Sequence, residues 1–172
     1  MAQSPPPTTT RTTSQVIDAA IETRRHLGGA LLPILHAIQD DLGFVPEEAV
    51  PRLAQALNLS QAEVHGVISF YHDFRQSPPG RHVLKLCRAE ACQAMGSDAL
   101  AARVQERTGI GQHGTTADGG LTVEPVYCLG NCACAPSAQL DGKVRGRLTA
   151  ERFDALLDGV LGSAPDKGGR GR

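Results

Sequence analysis

The sequence predicts an α/β protein in which an N-terminal four-helix bundle is followed by a small α/β domain. Apolar residues recur at helical spacing in the first half of the chain and at strand spacing in two later segments. A proline-rich run at residues 75–80 separates the two patterns. We therefore predict a helical domain at residues 15–76 and an α/β domain at residues 81–162.

The composition is that of a globular protein that can bury a core. The chain has 172 residues, of which 41% are hydrophobic and 20% are charged. Its net charge of -1 gives no reason to expect nucleic acid or an anionic membrane as a partner, so we expect a protein partner. No apolar stretch of about 20 residues could span a bilayer. We expect a cytoplasmic protein, in which cysteine clusters bind metals more often than they form disulfides.

Four helices with short connections are predicted in the first domain. The first helix follows an arm at residues 1–14, rich in proline and threonine, that we expect to be disordered. Its apolar positions extend to Leu27, just before a glycine pair. Pro33 falls in the first turn of the second helix, where its missing N–H costs nothing, and Gly43 ends that helix. Two glutamates open the third helix, and a capping box at residues 60–63 opens the fourth.

The second domain begins with a strand, a helix and a second strand. The first strand ends at Cys87 and the second at Cys128, so each strand delivers a cysteine at its end. Between them lie a predicted helix at residues 97–107 and a glycine-rich segment that we expect to be a mobile surface loop.

A hairpin and a final helix complete the second domain. Asp141-Gly142 is a strong hairpin signal, and Thr149 can cap the last helix. Residues 163–172 are predicted to be a disordered tail. The order strand, helix, strand, hairpin, helix is that of a thioredoxin-like α/β domain, in which ligands gather where loops leave the ends of strands.

Two cysteine pairs have the spacing of ligands to one metal centre. Four residues separate Cys87 from Cys92, and three separate Cys128 from Cys132. A [2Fe–2S] cluster needs four thiolates, which divide naturally into one pair for each iron. Zinc also accepts four thiolates, but its pairs usually have two intervening residues. Reactive or disulfide-forming thiols are a third interpretation, which the lack of a Cys-x-x-Cys makes less favourable.

Other residues near these pairs have less specific signals. We expect Cys134, the fifth cysteine, to be a half-buried thiol beside the centre, with exchange into the ligand set as the alternative. His113 could complete a zinc site if one cysteine were not used. Because a four-thiolate cluster is negatively charged, nearby cations matter. Four cations are candidates for this role: Lys85, Arg88, Arg145 and Arg147.

The cysteine motifs resemble those of one family. Cys-x4-Cys followed about 35 residues later by Cys-Leu-Gly-x-Cys, with Ala135-Pro136 just after, resembles the thioredoxin-like [2Fe–2S] ferredoxins that form the 24 kDa-type subunit of NADH:quinone oxidoreductase. The resemblance covers about residues 15–160. Within the family, CRAEACQAMG and CLGNCACAP are most similar to the gamma subunit of NAD-dependent molybdenum formate dehydrogenases, although many relatives have Gly-Asn in place of Ala133-Cys134. Three residues carry this distinction: Arg88, Glu90 and Gln93.

This resemblance implies roles for individual residues. Cys87, Cys92, Cys128 and Cys132 would be the ligands of one [2Fe–2S] cluster. Gly130 would provide a backbone conformation that a side chain would obstruct. We expect the helical domain, which a thioredoxin-like core does not require, to be a docking surface.

The resemblance also implies a function and a set of partners. The chain would be the one-electron-transfer gamma subunit of a cytoplasmic NAD-dependent formate dehydrogenase, with no substrate chemistry of its own. FMN and NAD would be bound by a diaphorase subunit, and the molybdenum cofactor by a catalytic subunit. The equivalent subunit of NADH:quinone oxidoreductase or of an NAD-reducing hydrogenase is the first alternative. A zinc-stabilised thioredoxin-like interaction module is the alternative from another class.

Overall fold

The structure, a computed structural model, describes residues 11–111 and 113–162. The chain divides into two compact units, with the boundary after Pro78 in the proline-rich run. The predicted tail at residues 163–172, and the predicted arm apart from its last four residues, lie outside the described part of the chain. No helix among the described residues is long and apolar enough to cross a membrane.

The first unit contains four α-helices that share one apolar core. They are α1 (Thr13–Arg24), α2 (Leu31–Leu42), α3 (Ala49–Leu57) and α4 (Gln61–Phe70). Each helix contributes at least one side chain with no exposed surface to this core: Ile17, Ile34, Leu53 and Val64. The prediction of a mixed helix-and-sheet protein is confirmed, whereas the arrangement of these four helices as a regular bundle stays a prediction.

Local signals in the sequence account for two helix ends in this unit, whereas the prediction that two glutamates lie in the first turn of α3 is wrong, because that helix begins after them, at Ala49. The Ser60 hydroxyl accepts a hydrogen bond from the backbone N–H of Glu63, and the Glu63 carboxylate accepts one from the backbone N–H of Ser60, as the capping box predicts. Gly43 ends α2 with a φ of 82°, a left-handed conformation that suits glycine. These two helix limits are therefore determined by residues within a few positions of the helix end.

The limits of α1 differ from the prediction at both ends. It begins inside the segment predicted as a disordered arm, because Thr12 and Gln15 form a second capping box. It ends at Arg24, so Leu27 lies beyond the helix and keeps 42% of its surface exposed. The prediction that Leu27 belongs to the apolar side of this helix is wrong.

The second unit is built on a five-stranded sheet. Its strands are β1 (His82–Cys87), β2 (Gly114–Thr115), β3 (Leu121–Val126), β4 (Ala138–Leu140) and β5 (Lys143–Arg145), in the order β2-β3-β1-β4-β5. Strands β1 and β3 are parallel, and the other neighbours are antiparallel. Parallel pairing puts the carboxyl ends of β1 and β3 at the same edge of the sheet, and the segments that carry the cysteines leave from that edge.

Three helices complete this unit: α5 (Glu90–Ala94), α6 (Ser97–Thr108) and α7 (Ala150–Leu161). Leu100 and Val104 of α6 and Phe153 and Leu157 of α7 lie in one apolar core with the buried residues of the sheet. An ion pair of 2.7 Å between Arg103 and Asp154 connects α6 to α7. The thioredoxin-like α/β domain predicted for this part of the chain is thus present as a central sheet packed with helices.

The sequence predicted some of the smaller elements of this unit and not others. The hairpin turns at Asp141 and Gly142 as predicted, with φ values of 48° and 78°, and Thr149 caps α7. Helix α5 and strand β2 were not predicted. Strand β2 lies within the glycine-rich segment expected to be a loop and pairs with β3.

Candidate metal centre

The first cysteine pair is buried. Cys87 is the last residue of β1, Cys92 lies in α5, and each retains only 2% of its surface exposed. Burial raises the pKa of the Cys92 thiol, and a hydrogen bond with the Cys87 thiol raises it further. The backbone of Ser137 acts in the opposite direction, because its hydrogen bond to the Cys92 sulfur lowers that pKa. The protein alone therefore favours the neutral thiol of Cys92, which a bound metal would convert to a thiolate.

The second cysteine pair is exposed. Cys128 follows β3, Cys132 begins a short 3-10 helix (Cys132–Cys134), and their Sγ atoms lie 3.7 Å apart. A hydrogen bond with the Cys128 thiol is the main cause that raises the pKa of Cys132. The two sulfur atoms of this pair are therefore close enough to bind one metal atom together.

The loop between Cys128 and Cys132 has an unusual backbone. Cys128 has a φ of 137°, a value that non-glycine residues rarely adopt, and Gly130 has a φ of 72°. Gly130 donates its backbone N–H to the Sγ atom of Cys128 at 3.3 Å. Gly130 thus has a left-handed backbone conformation, where the expectation was one that a side chain would obstruct. Its cause is conformation rather than space, because a Cβ atom at this position would meet nothing within 4 Å.

The two pairs also lie close to each other. The charge of Cys132 contributes to the raised pKa of Cys92, and the charge of Cys87 contributes to the raised pKa of Cys132. Among the residues that the structure describes, no group of three or more His, Cys, Asp or Glu side chains is arranged to hold a single metal ion. The arrangement is one of two close thiol pairs, one interior and one at the surface.

These features fit a dinuclear iron–sulfur cluster. Such a cluster takes four thiolates, and hydrogen bonds to its sulfur atoms help to set its reduction potential. The backbone of Gly130 and of Ser137 already supplies hydrogen bonds to two of the four cysteine sulfurs. The assignment of Cys87, Cys92, Cys128 and Cys132 as ligands stays a prediction.

The other residues considered as candidates lie as follows. Cys134 is half-buried, as expected, and His113 is exposed. Arg88 forms an ion pair of 2.8 Å with Asp98, so this cation already has a carboxylate partner. Lys85 likewise lies 3.9 Å from the carboxylate of Glu124. The side chains of Arg145 and Arg147 lie at or near the surface, and the role of all four cations beside a cluster stays a prediction.

Two residues near the cysteines were missed in the sequence. Ser137 precedes β4 and is 1% exposed. Its backbone contacts the buried pair, Cys87 and Cys92, and its hydroxyl contacts Asn131 and Cys134 on either side of Cys132. Gly146 follows β5 and leaves room for Asn131 and Cys134. A serine among small residues and a glycine next to an arginine carry no sequence signal that separates them from ordinary loop residues.

Comparison with known proteins gives consistent results. A family model described as thioredoxin-like [2Fe-2S] ferredoxin matches residues 17–161. One subunit of the NADH-quinone oxidoreductase of Pseudomonas aeruginosa is 34% identical over 132 residues, which cover 77% of this chain and 80% of that protein. A subunit of NADH-quinone oxidoreductase from Rhizobium meliloti is 35% identical over 147 residues, which cover 86% of this chain and 88% of that protein.

A solved structure is also similar. The crystal structure of an NAD+-reducing [NiFe]-hydrogenase in the air-oxidised state matches with a TM-score of 0.66 and 31% sequence identity. The match covers 84% of this chain but only 24% of the hydrogenase chain, so this chain corresponds to about a quarter of that protein.

Proposed function

The chain belongs to the thioredoxin-like [2Fe–2S] ferredoxin family, and on this basis we propose that it transfers single electrons within an oxidoreductase complex of the NADH-quinone oxidoreductase or NAD-reducing hydrogenase type. The observation that carries the proposal is the approach of two thiol pairs, from separate segments of the chain, with backbone N–H groups directed at their sulfur atoms. The similarity to subunits of NADH-quinone oxidoreductase supports the same complex type.

Four cysteines would hold the cluster: Cys87, Cys92, Cys128 and Cys132. Once bound, the cluster would supply one-electron oxidation and reduction. The protein's own residues would control its surroundings. The buried pair excludes water from one side, whereas Cys128 and Cys132 lie at the surface, where a partner can approach. Hydrogen bonds from Gly130 and Ser137 stabilise negative charge on sulfur and so favour the reduced state.

The redox partner is a flavoprotein subunit that carries FMN and the NAD site. Two large apolar side chains next to the cysteine pairs in the chain are exposed, Met95 by 62% and Tyr127 by 76%. Exposed apolar groups of this kind are typical of protein interfaces. We assign one contact with the flavoprotein to the part of the second unit that carries these side chains and the exposed cysteine pair, in addition to the docking surface expected on the helical unit.

A narrower proposal is that the complex is a cytoplasmic NAD-dependent formate dehydrogenase, in which this chain is the gamma subunit. It rests on the similarity of CRAEACQAMG and CLGNCACAP to that subunit. In that case a further partner carries the molybdenum cofactor and oxidises formate. The relatives from Pseudomonas aeruginosa and Rhizobium meliloti favour the NADH-quinone oxidoreductase type instead, so formate dehydrogenase is the second candidate.

Two experiments test these proposals. The purified chain should be brown, contain two irons and two acid-labile sulfides per chain, and give an EPR signal on reduction. A colourless protein with one zinc per chain would support the zinc-stabilised module and contradict electron transfer.

The subunits that co-purify from the native host identify the complex. A molybdenum subunit indicates formate dehydrogenase, a nickel subunit indicates hydrogenase, and quinone-reducing subunits indicate NADH-quinone oxidoreductase.

A further inference from the structure

We propose that Ser137 is a positioning residue that couples the two cysteine pairs and holds the exposed ligand loop in the geometry the cluster requires; this inference rests on the proposed function. Ser137 is 1% exposed, and it lies between the 3-10 helix and β4. No motif of the sequence marks it, and its importance follows only from what its atoms contact.

The backbone of Ser137 forms hydrogen bonds with both cysteines of the buried pair. Its carbonyl oxygen accepts a hydrogen bond of 3.1 Å from the backbone N–H of Cys87. Its backbone also hydrogen bonds to the sulfur of Cys92. One residue therefore contacts both members of the pair, through its acceptor on one side and its donor on the other.

The side chain of Ser137 forms hydrogen bonds with the exposed loop. Its hydroxyl donates to the carbonyl oxygen of Cys134 at 3.1 Å and accepts from the side-chain amide of Asn131 at 3.1 Å. Asn131 immediately precedes Cys132, so this hydroxyl bonds to residues on both sides of that cysteine. The buried hydroxyl donates one hydrogen bond and accepts another, and its loss leaves both partners without this hydrogen bond.

Gly146 supports the same loop from its other side. A Cβ atom on Gly146 would lie 2.5 Å from the amide nitrogen of Asn131 and 2.8 Å from both the Cβ atom and the carbonyl oxygen of Cys134. The next residue, Arg147, donates its backbone N–H to that carbonyl at 2.6 Å. The loop is thus held between Ser137 and Gly146, although Cys128 and Cys132 themselves are exposed.

This arrangement explains how exposed thiols can keep a defined position. Residues beyond the direct ligands often orient the ligands, and their loss commonly weakens metal binding without unfolding the protein. Removing the Ser137 hydroxyl should free the segment around Cys132 while the backbone contacts to Cys87 and Cys92 persist. The expected result is a cluster that is held less tightly and has a changed reduction potential.

The first test compares Ser137→Ala with the matched control Thr122→Val. Thr122 also has a buried hydroxyl in this unit, which accepts from the backbone N–H of Gly80 at 2.7 Å, but it pairs with Val83 rather than with the cysteine end of β1. Ser137→Ala should lose iron to a chelator about tenfold faster than wild type and show a displaced reduction potential. Thr122→Val should match wild type in both. Equal behaviour of the two variants would overturn the proposal.

A second test isolates the contact between Asn131 and Ser137. Because the two side chains share one hydrogen bond, the effects of Asn131→Ala and Ser137→Ala on the rate of iron loss should be clearly less than additive in the double variant. Additive effects would contradict the coupling. If Ser137→Ala does not fold, Asn131→Ala tests the proposal instead, because Asn131 is only half-buried. An unchanged rate of iron loss and an unchanged reduction potential in Asn131→Ala would overturn the proposal.

The outcomes separate the two levels of inference. A wild-type chain that binds no [2Fe–2S] cluster contradicts the proposed function itself. A wild-type chain that binds the cluster, together with a Ser137→Ala variant of unchanged potential and chelation rate, contradicts only the positioning role.

Discussion

Cys87 pairs in register with Val126 across the parallel strands β1 and β3. The residue after Cys87, Arg88, donates its backbone N–H to the carbonyl oxygen of Val126 at 2.8 Å, which extends the pairing by one step. Cys128 follows Val126 by two residues, so the pairing of the two strands brings the start of both cysteine loops to one edge of the sheet. Residues 41 positions apart in the chain therefore become candidates for one metal centre.

Replacement of individual cysteines tests the ligand assignment. Cys128→Ser exchanges a soft thiolate for a harder oxygen ligand, so we expect a lower iron and sulfide content and an altered EPR spectrum. Cys134→Ser is the matched control in the same loop, because it should leave four thiolate ligands in place. Iron analysis and EPR spectroscopy of both purified variants provide the measurement. Loss of the cluster in Cys134→Ser would mean that Cys134 is a ligand.

Gly130→Ala tests the hydrogen bond from backbone to sulfur. Its φ of 72° is unfavourable for alanine, so the loop should shift and weaken the N–H contact with the Cys128 sulfur. Because that contact stabilises the more negative reduced cluster, we expect a lower reduction potential. Gly142→Ala is the control, since it has a φ of 78° and equally open surroundings but lies in the hairpin turn.

Both glycine variants should lose about 1 kcal/mol of stability through backbone strain. Redox titration followed by EPR, together with thermal unfolding, separates the two effects. Similar shifts of potential in Gly130→Ala and Gly142→Ala would show that strain in the domain, rather than the contact with sulfur, determines the result.

The features that the sequence predicted well are those decided by neighbouring residues. The capping box of α4, the glycine that ends α2 and the hairpin turn each depend on residues within a few positions of one another. The cysteine pairs were visible for the same reason, because their spacing within each pair is local. The proximity of the two pairs was inferred from strand ends, and it follows from the pairing of β1 with β3.

The features that the sequence did not predict depend on distant contacts. Helix α5 has five residues and β2 has two, and elements this short have no measurable periodicity of their own. Leu27 looked like a core residue because its spacing continued that of α1, although the helix ends three residues earlier. Ser137 became notable only through partners that come from three other segments. Such roles are set by tertiary packing, which periodicity does not encode.

The capping box of α4 gives the first unit a defined response to acid. The backbone and side-chain hydrogen bonds from Ser60 lower the pKa of Glu63, so the folded state favours its ionised form. A lowered pKa contributes stability that is present above the unfolded value of about 4.3 and is lost as the pH falls below it. We expect wild-type protein to lose this contribution on acidification through that range.

Glu63→Gln is the matched variant for this effect. Glutamine can still accept the hydrogen bond from Ser60 but does not titrate, so denaturant unfolding of this variant should depend less steeply on pH between about 5 and 3. Ser60→Ala should reduce stability by about 1 kcal/mol at neutral pH, because it removes the N-cap. Identical pH dependence in wild type and Glu63→Gln would mean that the capping carboxylate does not contribute.

Phe70 at the end of α4 tests the role proposed for the helical unit. Its side chain is 73% exposed and packs edge-on against the ring of Tyr71, which is itself 44% exposed. Both rings line an open, largely apolar groove with Leu31, Leu59 and Val67. Exposed aromatic residues beside such a groove are typical of surfaces that bind another protein.

Phe70→Ala should therefore weaken assembly with the flavoprotein subunit by at least about tenfold in dissociation constant, the loss typical of a strong interface residue. Because the side chain is exposed, thermal stability should change little, and the cluster in the second unit should keep its spectrum. Leu27→Ala is the matched control, an exposed apolar side chain of the same unit that does not line the groove. Co-purification and titration with the flavoprotein measure the effect. Undiminished assembly of Phe70→Ala, or of a chain that lacks residues 15–75, would exclude the helical unit as the docking surface.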